Sequence, residues 1–381
     1  MTNKINFTDV DPIQAKNISI IKNNINKIIL KKDFILGKSV KIFEKNFSKL
    51  SNIKYSVGCA SGTDALILAL KSLNLKKNDE VIVPALTYIS TGLSVLLNNN
   101  KLIYADVDEN TGLISIENVL KKISKNTKVV IAVNLYGQKV NLKKLRKFIG
   151  KRVFIIEDSA QSHLAYSCYN CTRRKINFCC KKERNDKYAD ISCYSFYPSK
   201  NLGAYGDGGL VSTNYEKIYK NLLSLRNLGS IKKNVHNLLG INSRLDSIQA
   251  AVLNEKLKSI LKINQQRRKL ANIYDEQLKK IRFIKTTMTN PGSSRHLYVV
   301  RTKQRNSLIK YLLKYKIYCQ IHYPYTLNKL KPFLNRTRNK ELVRNSEKWA
   351  RECLSLPLHS NMSITQVYRI TNKIKKYFIK K

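Results

Sequence analysis

Short apolar runs alternate with amphipathic segments between residues 80 and 156 of the 381-residue chain. Runs of four to six residues rich in Val and Ile are typical of buried strands, and the segments between them have the apolar spacing of helices. This alternation predicts βαβ units, in which helices cover both faces of a mostly parallel sheet. The predicted strands are Glu80–Val83, Lys101–Ala105, Lys128–Val133 and Val153–Ile156, and the predicted helices are Thr87–Leu97, Ile116–Ile123 and Leu142–Ile149.

Further elements are predicted on both sides of this region. The length allows two domains, and towards the carboxyl terminus strands and helices alternate in the manner of a smaller α+β domain. We place the boundary near Glu255, so that residues 1–255 form a large domain and residues 256–381 a small one. The flanking predictions are the helices Ile13–Lys32, Val40–Leu50, Glu216–Leu228, Ser243–Ile281, Ser307–Leu313, Glu347–Cys353 and Ile364–Phe378, and the strands Leu210–Thr213, Leu297–Arg301 and Cys319–His322.

The composition is that of a folded protein outside the membrane. Hydrophobic residues make up 43% of the chain, which supports a packed core. Apolar runs such as Val129–Val133 are far shorter than the roughly 20 residues that span a bilayer. The first residues, Met1–Asn6, lack the apolar region of a signal peptide. We therefore expect a soluble cytoplasmic protein that does not bind membranes.

The chain is strongly basic, with 71 Lys and Arg against 25 Asp and Glu and a formal net charge of +46. Such a charge attracts polyanions, including nucleic acids and anionic sugar nucleotides. The basic residues are spread along the whole chain, and no nucleic-acid-binding motif is present. A compositional bias towards Lys, Asn and Ile with solvated surface charge accounts for this pattern better than a nucleic-acid site.

A lysine, Lys200, stands between an apolar run and a glycine-rich turn in the segment Ser192–Gly209. A lysine is a costly choice for a buried structural position, because its charge must be desolvated. The same desolvation lowers the pKa of the amine and makes it a nucleophile for carbonyl chemistry. We interpret Lys200 as the residue that forms a Schiff base with pyridoxal 5'-phosphate.

Two other segments suit the same cofactor. Small residues follow Tyr55–Cys59, and Ser61 is a candidate N-cap of a helix whose amino terminus would attract an anion. The predicted strand Val153–Ile156 ends in two carboxylates, and Asp158 at this end of a parallel sheet can hold a cofactor's pyridine nitrogen protonated. An ordinary capped helix and a surface aspartate remain the alternatives for these segments taken alone.

The eight cysteines form two groups. Cys59, Cys193, Cys319 and Cys353 lie in apolar contexts and are interpreted as buried thiols. The other four lie in a polar, basic insertion at about 164–187, for which a structural zinc site and a flexible exposed loop with reduced thiols are the alternatives. The insertion contains no histidine and two of its cysteines are adjacent, so we favour the loop and predict no metal. These four are Cys168, Cys171, Cys179 and Cys180.

Several segments in a fixed order closely resemble the DegT/DnrJ/EryC1/StrS family of sugar aminotransferases. The resemblance covers nearly the whole chain, and the ordered set is far more specific than any single motif. It implies the aspartate-aminotransferase fold (fold type I): a large domain with a seven-stranded, mostly parallel sheet and a smaller carboxy-terminal α+β domain. The segments are FILG (34–37), SGTDAL (61–66), PALTY (84–88), LYGQ (135–138), EDSAQ (157–161), SFYPSKNLGAYGDGG (195–209), NSRLD (242–246), HYP (322–324) and SLPLH (355–359).

The resemblance also implies roles for individual residues. Lys200 would form the Schiff base and later carry a proton between the substrate carbon and the cofactor. Asp158 would pair with the pyridinium nitrogen, Gln161 would bond near the phenolic oxygen, and Tyr88 would stack on the ring. Some relatives with histidine at position 200 carry out dehydration, so Lys200 indicates transamination. The phosphate would be held by Gly62, Thr63 and Ser195, and by Asn242 from a neighbouring subunit, which implies a homodimer with shared active sites.

The LYGQ and HYP segments are most similar to the branch that acts on 3-oxo sugar nucleotides, with glutamate as the amino donor. Arg244, His322 and Tyr323 would then contact the nucleotide sugar, and the product would enter surface polysaccharide or glycan synthesis. Asn134 and Leu164 depart from the pattern, because relatives often have histidine and glycine there. A 4-oxo sugar nucleotide is the alternative substrate. A regulatory or nucleic-acid-binding protein on a retired aminotransferase fold is the alternative class.

Overall fold

A seven-stranded sheet lies at the centre of the larger part of the molecule, in the order β1-β7-β6-β5-β4-β2-β3. The computed structural model describes residues 4–10, 15–166, 187–334 and 343–379. Every adjacent pair from β3 to β6 is parallel, whereas β7 is antiparallel to both β6 and β1. The predicted mostly parallel sheet is therefore confirmed. Its strands are β1 (Tyr55–Cys59), β2 (Glu80–Pro84), β3 (Lys101–Ala105), β4 (Thr127–Val133), β5 (Phe154–Asp158), β6 (Ile191–Ser195) and β7 (Gly209–Thr213).

The described helices lie close to the predicted positions, apart from the long helical region Ser243–Ile281. This region contains two separate helices, Ser247–Leu257 and Ile260–Leu278. Lys258 and Ser259, which separate the two helices, keep right-handed helical backbone angles. The spacing of apolar residues therefore does not show where one helix ends and the next begins. The helices are α1 (Ala15–Lys31), α2 (Lys38–Ser51), α3 (Gly62–Ser72), α4 (Ile89–Leu97), α5 (Ile116–Lys122), α6 (Leu142–Ile149), α7 (Glu216–Leu225), α8 (Ser247–Leu257), α9 (Ile260–Leu278), α10 (Arg305–Lys314), α11 (Arg344–Glu352) and α12 (Ile364–Ile379).

The main core forms where helices pack on this sheet. Helix α3 packs against β6, β7 and α4, while α2 packs against β1 and α8. The inner strands are almost continuously apolar and buried, as in the run Val129–Val133 of β4. Strands that are buried on both faces have this composition because helices cover the parallel sheet from both sides. The packed helices hold in place the edge of the sheet at which β2, β4, β5 and β6 end. The candidate active site lies at that edge.

A second core joins the carboxy-terminal elements. A three-stranded antiparallel sheet packs with α9, α10 and α12. Ile5, from the first described residues, is buried in this core and pairs with Ile317. Of the predicted strand Cys319–His322, Gln320 alone makes a bridge, to Ser355. The strands of this sheet are β10 (Lys285–Thr286), β11 (Tyr298–Arg301) and β12 (Cys353–Leu356), and a separate two-stranded ribbon is formed by β8 (Ser230–Lys232) and β9 (Val235–His236).

Other predictions have mixed outcomes. Cys59, Cys193 and Cys353 are buried free thiols as predicted, and Cys319 is only partly buried. The four cysteines of the insertion lie outside the described residues, and within the described ranges no cluster suits a metal ion. Among the helices that can be described, none is long and apolar enough to cross a bilayer. The domain boundary near Glu255 falls inside α8 and stays a prediction.

Candidate active site

A cavity of about 670 Å³ opens at the carboxyl edge of the sheet. Parallel strands that end at one edge bring the residues that follow them together, and ligands of α/β proteins bind there. The cavity is lined by residues from the ends of β4, β5 and β6, from the amino terminus of α3 and from the carboxy-terminal part of the chain. Nine sequence-predicted residues line it: Gly62, Thr63, Tyr88, Asp158, Gln161, Ser195, Lys200, His322 and Tyr323.

The amino terminus of α3 forms one end of the cavity. Ser61 caps the helix, since its hydroxyl accepts a hydrogen bond from the Asp64 N–H at 3.1 Å. The N–H groups of Gly62 and Thr63 belong to the first turn, where the helix supplies no acceptor. A Cβ atom on Gly62 would lie 2.5 Å from the Cβ of Ser195, so only glycine fits. This end therefore offers backbone N–H groups, hydroxyls and a helix dipole, which is the donor set that binds phosphate.

Lys200 lies on the turn that follows β6 and is partly buried in the cavity wall. The turn is closed by a hydrogen bond from the Lys200 N–H to the Tyr197 carbonyl at 2.9 Å. Burial lowers the pKa of the Lys200 amine to about 8, although Asp158 opposes the shift. About a tenth of the amine is therefore uncharged at pH 7, far more than at the ordinary pKa, and the uncharged form is the nucleophile for carbonyl carbon.

Asp158 ends β5 and is only 7% exposed. Its Oδ2 accepts a hydrogen bond from the Thr91 hydroxyl at 3.1 Å, and its Oδ1 accepts one from the Ala160 N–H at 3.1 Å. Burial raises the pKa of Asp158 above its ordinary value, although these two hydrogen bonds and Lys200 oppose the shift. A carboxylate held in this way is stabilised by a cation in the cavity, and a protonated pyridine nitrogen is such a cation.

Gln161 is fixed by the protein at both ends of its amide. Its Oε1 accepts a hydrogen bond from the Tyr136 N–H at 2.7 Å, and its Nε2 donates one to the Tyr323 hydroxyl at 3.0 Å. The Tyr136 hydroxyl in turn donates to the His322 carbonyl at 2.5 Å. The ring of Tyr88 is 56% exposed and lies 5.7 Å from that of Tyr323. The two tyrosines thus present aromatic surface to the cavity beside Gln161.

His322 is oriented by two contacts. Its Nδ1 lies 2.9 Å from the Ser355 hydroxyl, and its ring is stacked on Phe7 with the centroids 5.6 Å apart. Burial, and next the charge of Lys200, lower the pKa of His322 to about 4, so the ring is neutral at physiological pH. The described segment 4–10 contributes Phe7, Thr8 and Val10 to the cavity wall.

Asn242 and Arg244 do not line the cavity of their own chain. Asn242 is exposed and makes a β-bridge with Asn227, whose side chain also accepts a hydrogen bond from Arg244 at 3.1 Å. Ser243, between them, donates to the Asp64 carboxylate at 2.7 Å and accepts from the Ala60 N–H, which anchors the loop beside α3. Contact of Asn242 or Arg244 with a bound molecule stays a prediction that involves a neighbouring subunit.

The two departures from the family pattern have clear structural settings. Leu164 adopts a left-handed backbone with φ of +51°, a conformation that glycine adopts without steric cost, and its side chain is buried. The Asn134 side chain is buried, and its amide donates to Glu157 at 2.7 Å and to Ser159 at 3.1 Å. Both substitutions are therefore accommodated within the protein interior.

Sequence reasoning missed several residues that organise the site. Thr91 holds Asp158, Tyr136 holds Gln161, and Phe7 supports His322. His296 also lines the cavity. Two signals were available: Tyr136 lies within the LYGQ segment, and Thr91 follows the PALTY segment on a predicted helix. Phe7 and His296 lie far along the chain from the residues they contact.

The fold and the site together define a fold-type-I enzyme built for pyridoxal phosphate. The helix terminus suits the phosphate, Asp158 the pyridine nitrogen and Lys200 the aldehyde. When bound, this cofactor serves as an electron sink that makes amino-group transfer possible.

The chain belongs to the DegT/DnrJ/EryC1/StrS aminotransferase family, whose model matches residues 16–375. It is 35% identical over 375 residues to a dTDP-3-amino-3,6-dideoxy-alpha-D-galactopyranose transaminase from Aneurinibacillus thermoaerophilus, covering 98% of this chain and 99% of the relative. It is 33% identical over 360 residues to a UDP-N-acetyl-3-dehydro-alpha-D-glucosamine 3-aminotransferase from Acidithiobacillus ferrooxidans, covering 93% of each.

A solved structure agrees with this assignment. The crystal structure of DesV from S. venezuelae, in complex with a ketimine intermediate, superposes with a TM-score of 0.89 at 30% identity, covering 99% of each chain. The predicted family, fold and enzyme class are thereby confirmed. The protein is an aminotransferase, and its cofactor is pyridoxal 5'-phosphate.

Proposed function

We propose that this enzyme transfers an amino group from glutamate to the C3 keto carbon of a nucleotide-linked sugar. The observation that carries the chemistry is the placement of Lys200 and Asp158 in one cavity with a phosphate-binding helix terminus. The position on the sugar is supported by the two relatives described above, whose names both specify an amino group at C3.

The residues of the cavity supply the individual steps. The Lys200 amine, with a pKa of about 8, would act as the base that takes a proton from the substrate carbon and as the acid that returns it. Asp158 would hold the pyridine nitrogen protonated, and the α3 terminus would hold the phosphate. The neutral His322 and the Tyr323 hydroxyl offer hydrogen bonds to sugar hydroxyls.

The proposal includes a homodimer in the cytoplasm that serves surface polysaccharide or glycan synthesis. Asn242 of one subunit would reach the phosphate in the other, which fits its exposed position outside its own cavity. Arg244, on the same loop, would contact the nucleotide sugar. A regulatory or nucleic-acid-binding role receives no support from the site, because Lys200, Asp158 and Gln161 are all present and correctly grouped.

The test is a reverse transamination panel. Purified enzyme with pyridoxal phosphate and 2-oxoglutarate is given 3-amino and 4-amino sugars, each linked to dTDP and to UDP, and glutamate formation is measured. We expect glutamate from the 3-amino compounds and none with Lys200→Ala. Turnover of the 4-amino compounds alone would assign the alternative substrate class, and a protein that gives no Lys200-dependent visible band would contradict the whole proposal.

A further inference from the structure

Four aromatic rings form a row along the wall of the cavity, and each ring contacts the next. The ring centroids of Tyr88 and Tyr323 are 5.7 Å apart, and those of Tyr323 and His322 are 5.5 Å apart. The row continues from His322 to Phe7 over 5.6 Å, and all four residues line the cavity. Tyr88 is the residue expected to stack on the cofactor ring. Phe7 therefore forms the end of the row that is farther from the cofactor.

The amino-terminal segment that carries Phe7 is anchored on both sides of this residue. Before it, Ile5 is 1% exposed within the second core, and its N–H donates to the Lys316 carbonyl at 2.9 Å. After it, the Asp9 carboxylate accepts a hydrogen bond from the Asn361 side-chain amide at 2.7 Å. Backbone pairing and a side-chain hydrogen bond thus hold the segment in place on either side of the ring that lines the cavity.

Phe7 supplies a contact to His322 that no other residue in this row supplies. The Ser355 hydroxyl lies 2.9 Å from the His322 Nδ1, and the Tyr136 hydroxyl donates to the His322 carbonyl at 2.5 Å. These contacts fix one ring nitrogen and the backbone. The Phe7 ring is stacked on the His322 ring with 22° between their planes, so it covers one face of the imidazole. Removing the Phe7 ring would uncover that face and allow the imidazole to tilt.

A second phenylalanine stack in the protein has a purely structural setting. The rings of Phe283 and Phe378 are stacked 5.7 Å apart with 19° between their planes, and neither residue lines the cavity. Phe378 belongs to the second core, and Phe283 is 50% exposed at its surface. Phe7 differs in two respects: it lines the cavity itself, and its stacking partner is a residue predicted to contact the sugar.

We propose that Phe7 is a specificity-determining residue for the sugar of the substrate. Its ring packs against the C–H groups of the pyranose, which form an apolar surface, and it holds His322 in position to bond a sugar hydroxyl. Glutamate has no pyranose ring, and its amino group reacts at the cofactor, towards the other end of the row. Phe7 therefore favours the sugar nucleotide and does not affect the amino donor. This inference rests on the proposed function in taking a nucleotide sugar as the substrate.

The first test compares the two substrates in Phe7→Leu, which keeps an apolar side chain and removes the ring. Phe283→Leu makes the same change outside the cavity and is the matched control. For the sugar nucleotide that the panel above shows to react fastest, KM should rise about 3- to 10-fold in Phe7→Leu, whereas KM for glutamate should stay the same. Phe7→Tyr keeps the ring and should restore the natural KM. An unchanged KM for the sugar nucleotide, or an equal rise for both substrates, overturns the proposal.

The second test measures binding without turnover, which separates this proposal from the proposed function. Calorimetric titration of the holoenzyme uses dTDP-glucose and UDP-N-acetylglucosamine, which carry neither a keto group nor a free amino group on the sugar. Phe7→Leu should weaken binding of the better ligand about 3- to 10-fold, and Phe283→Leu should not. This result supports the role of Phe7 even if no sugar is aminated. Equal affinity of Phe7→Leu and the natural protein, or no binding of either compound to the natural protein, overturns it even if a sugar is aminated.

Discussion

The Thr91 hydroxyl donates a hydrogen bond to the Asp158 carboxylate, with 3.1 Å between Oγ1 and Oδ2. Thr91 lies on α4 and Asp158 ends β5, 67 residues further along the chain. The Thr91 Oγ1 is also 3.0 Å from Thr87, and since its one proton goes to Asp158, Thr87 donates to it. Two hydroxyls in series thus hold the Asp158 carboxylate in the cavity wall.

Thr91→Val should therefore weaken cofactor binding while the fold is kept. Losing one hydrogen bond to a charged group costs about 1.5–3 kcal/mol, which corresponds to a roughly 10- to 100-fold rise in the dissociation constant of pyridoxal phosphate. A fluorescence titration measures this. Thr91→Ser retains the hydroxyl and should bind nearly as the natural protein does, and equal affinity of Thr91→Val would rule out this role.

The rate at which cofactor-free protein combines with pyridoxal phosphate should depend on pH through Lys200. Only the uncharged amine attacks the aldehyde, and the pKa of Lys200 is about 8 instead of 10.5. The rate should rise about tenfold per pH unit below pH 8 and level off above it. Stopped-flow absorbance checks this, with Lys200→Ala as the blank. A rise that continues to pH 10 would show that the pKa is unperturbed.

The lowered pKa of Lys200 also affects the free energy of unfolding. Because the folded pKa of Lys200 is lowered, the unfolded chain binds more protons between pH 8 and 10.5, and cofactor-free protein should become more stable as the pH rises through this range. Urea unfolding of the natural protein and of Lys200→Met, compared at pH 8 and 10, isolates this contribution. The increase in the free energy of unfolding from pH 8 to pH 10 should be smaller in Lys200→Met than in the natural protein.

The buried ion pair between Lys139 and Glu157 supports the strand that carries Asp158. Their side chains are 4% and 2% exposed. Burial alone raises the pKa of Glu157, but Lys139, helped by Asn134 and Ser192, lowers it overall. Lys139→Met should cost about 3–5 kcal/mol, because the carboxylate is left unpaired. Chemical denaturation at pH 7 measures the loss.

The double variant Lys139→Met/Glu157→Gln is the matched control and should recover most of the lost stability. Since the folded pKa of Glu157 is lowered, the stabilisation by the pair is present at neutral pH and is lost as the pH falls through that folded pKa. A Lys139→Met variant as stable as the natural protein would show that the pair contributes nothing, and one as stable as the double variant would show that the unpaired Glu157 carboxylate costs nothing.

Shared active sites can be tested by mixing two impaired variants. Lys200→Ala and Asn242→Ala are unfolded together and refolded as a mixture. In a heterodimer, one site then combines a natural Lys200 with a natural Asn242 from the other subunit. Random pairing should restore about one quarter of the natural activity, since half the dimers are mixed and one site in each is complete. Activity equal to the mean of the separate variants would place Asn242 outside the partner's site.

Most of the architecture was predictable because its signals are local. Strand–helix alternation, the cap at Ser61 and the carboxylates at the end of β5 depend on neighbouring residues, and they indicated the sheet and the edge at which the cavity opens. The Cys319–His322 segment failed as a strand because pairing depends on a partner, and only Gln320 has one. Gln320 and His322 instead form part of the cavity wall.

The sequence by itself indicated the chemistry, because Lys200 stands between an apolar run and a glycine-rich turn and the ordered family segments implied roles for Asp158 and the helix terminus after Ser61. Only the tertiary structure decided what holds them. Thr91 meets Asp158, and His296 meets Asn201 across 95 residues, because helices and loops pack on the sheet in one particular way. Patterns with the period of a helix or strand carry no information about such contacts. The geometry that positions the reacting groups therefore emerges only when the chain is folded.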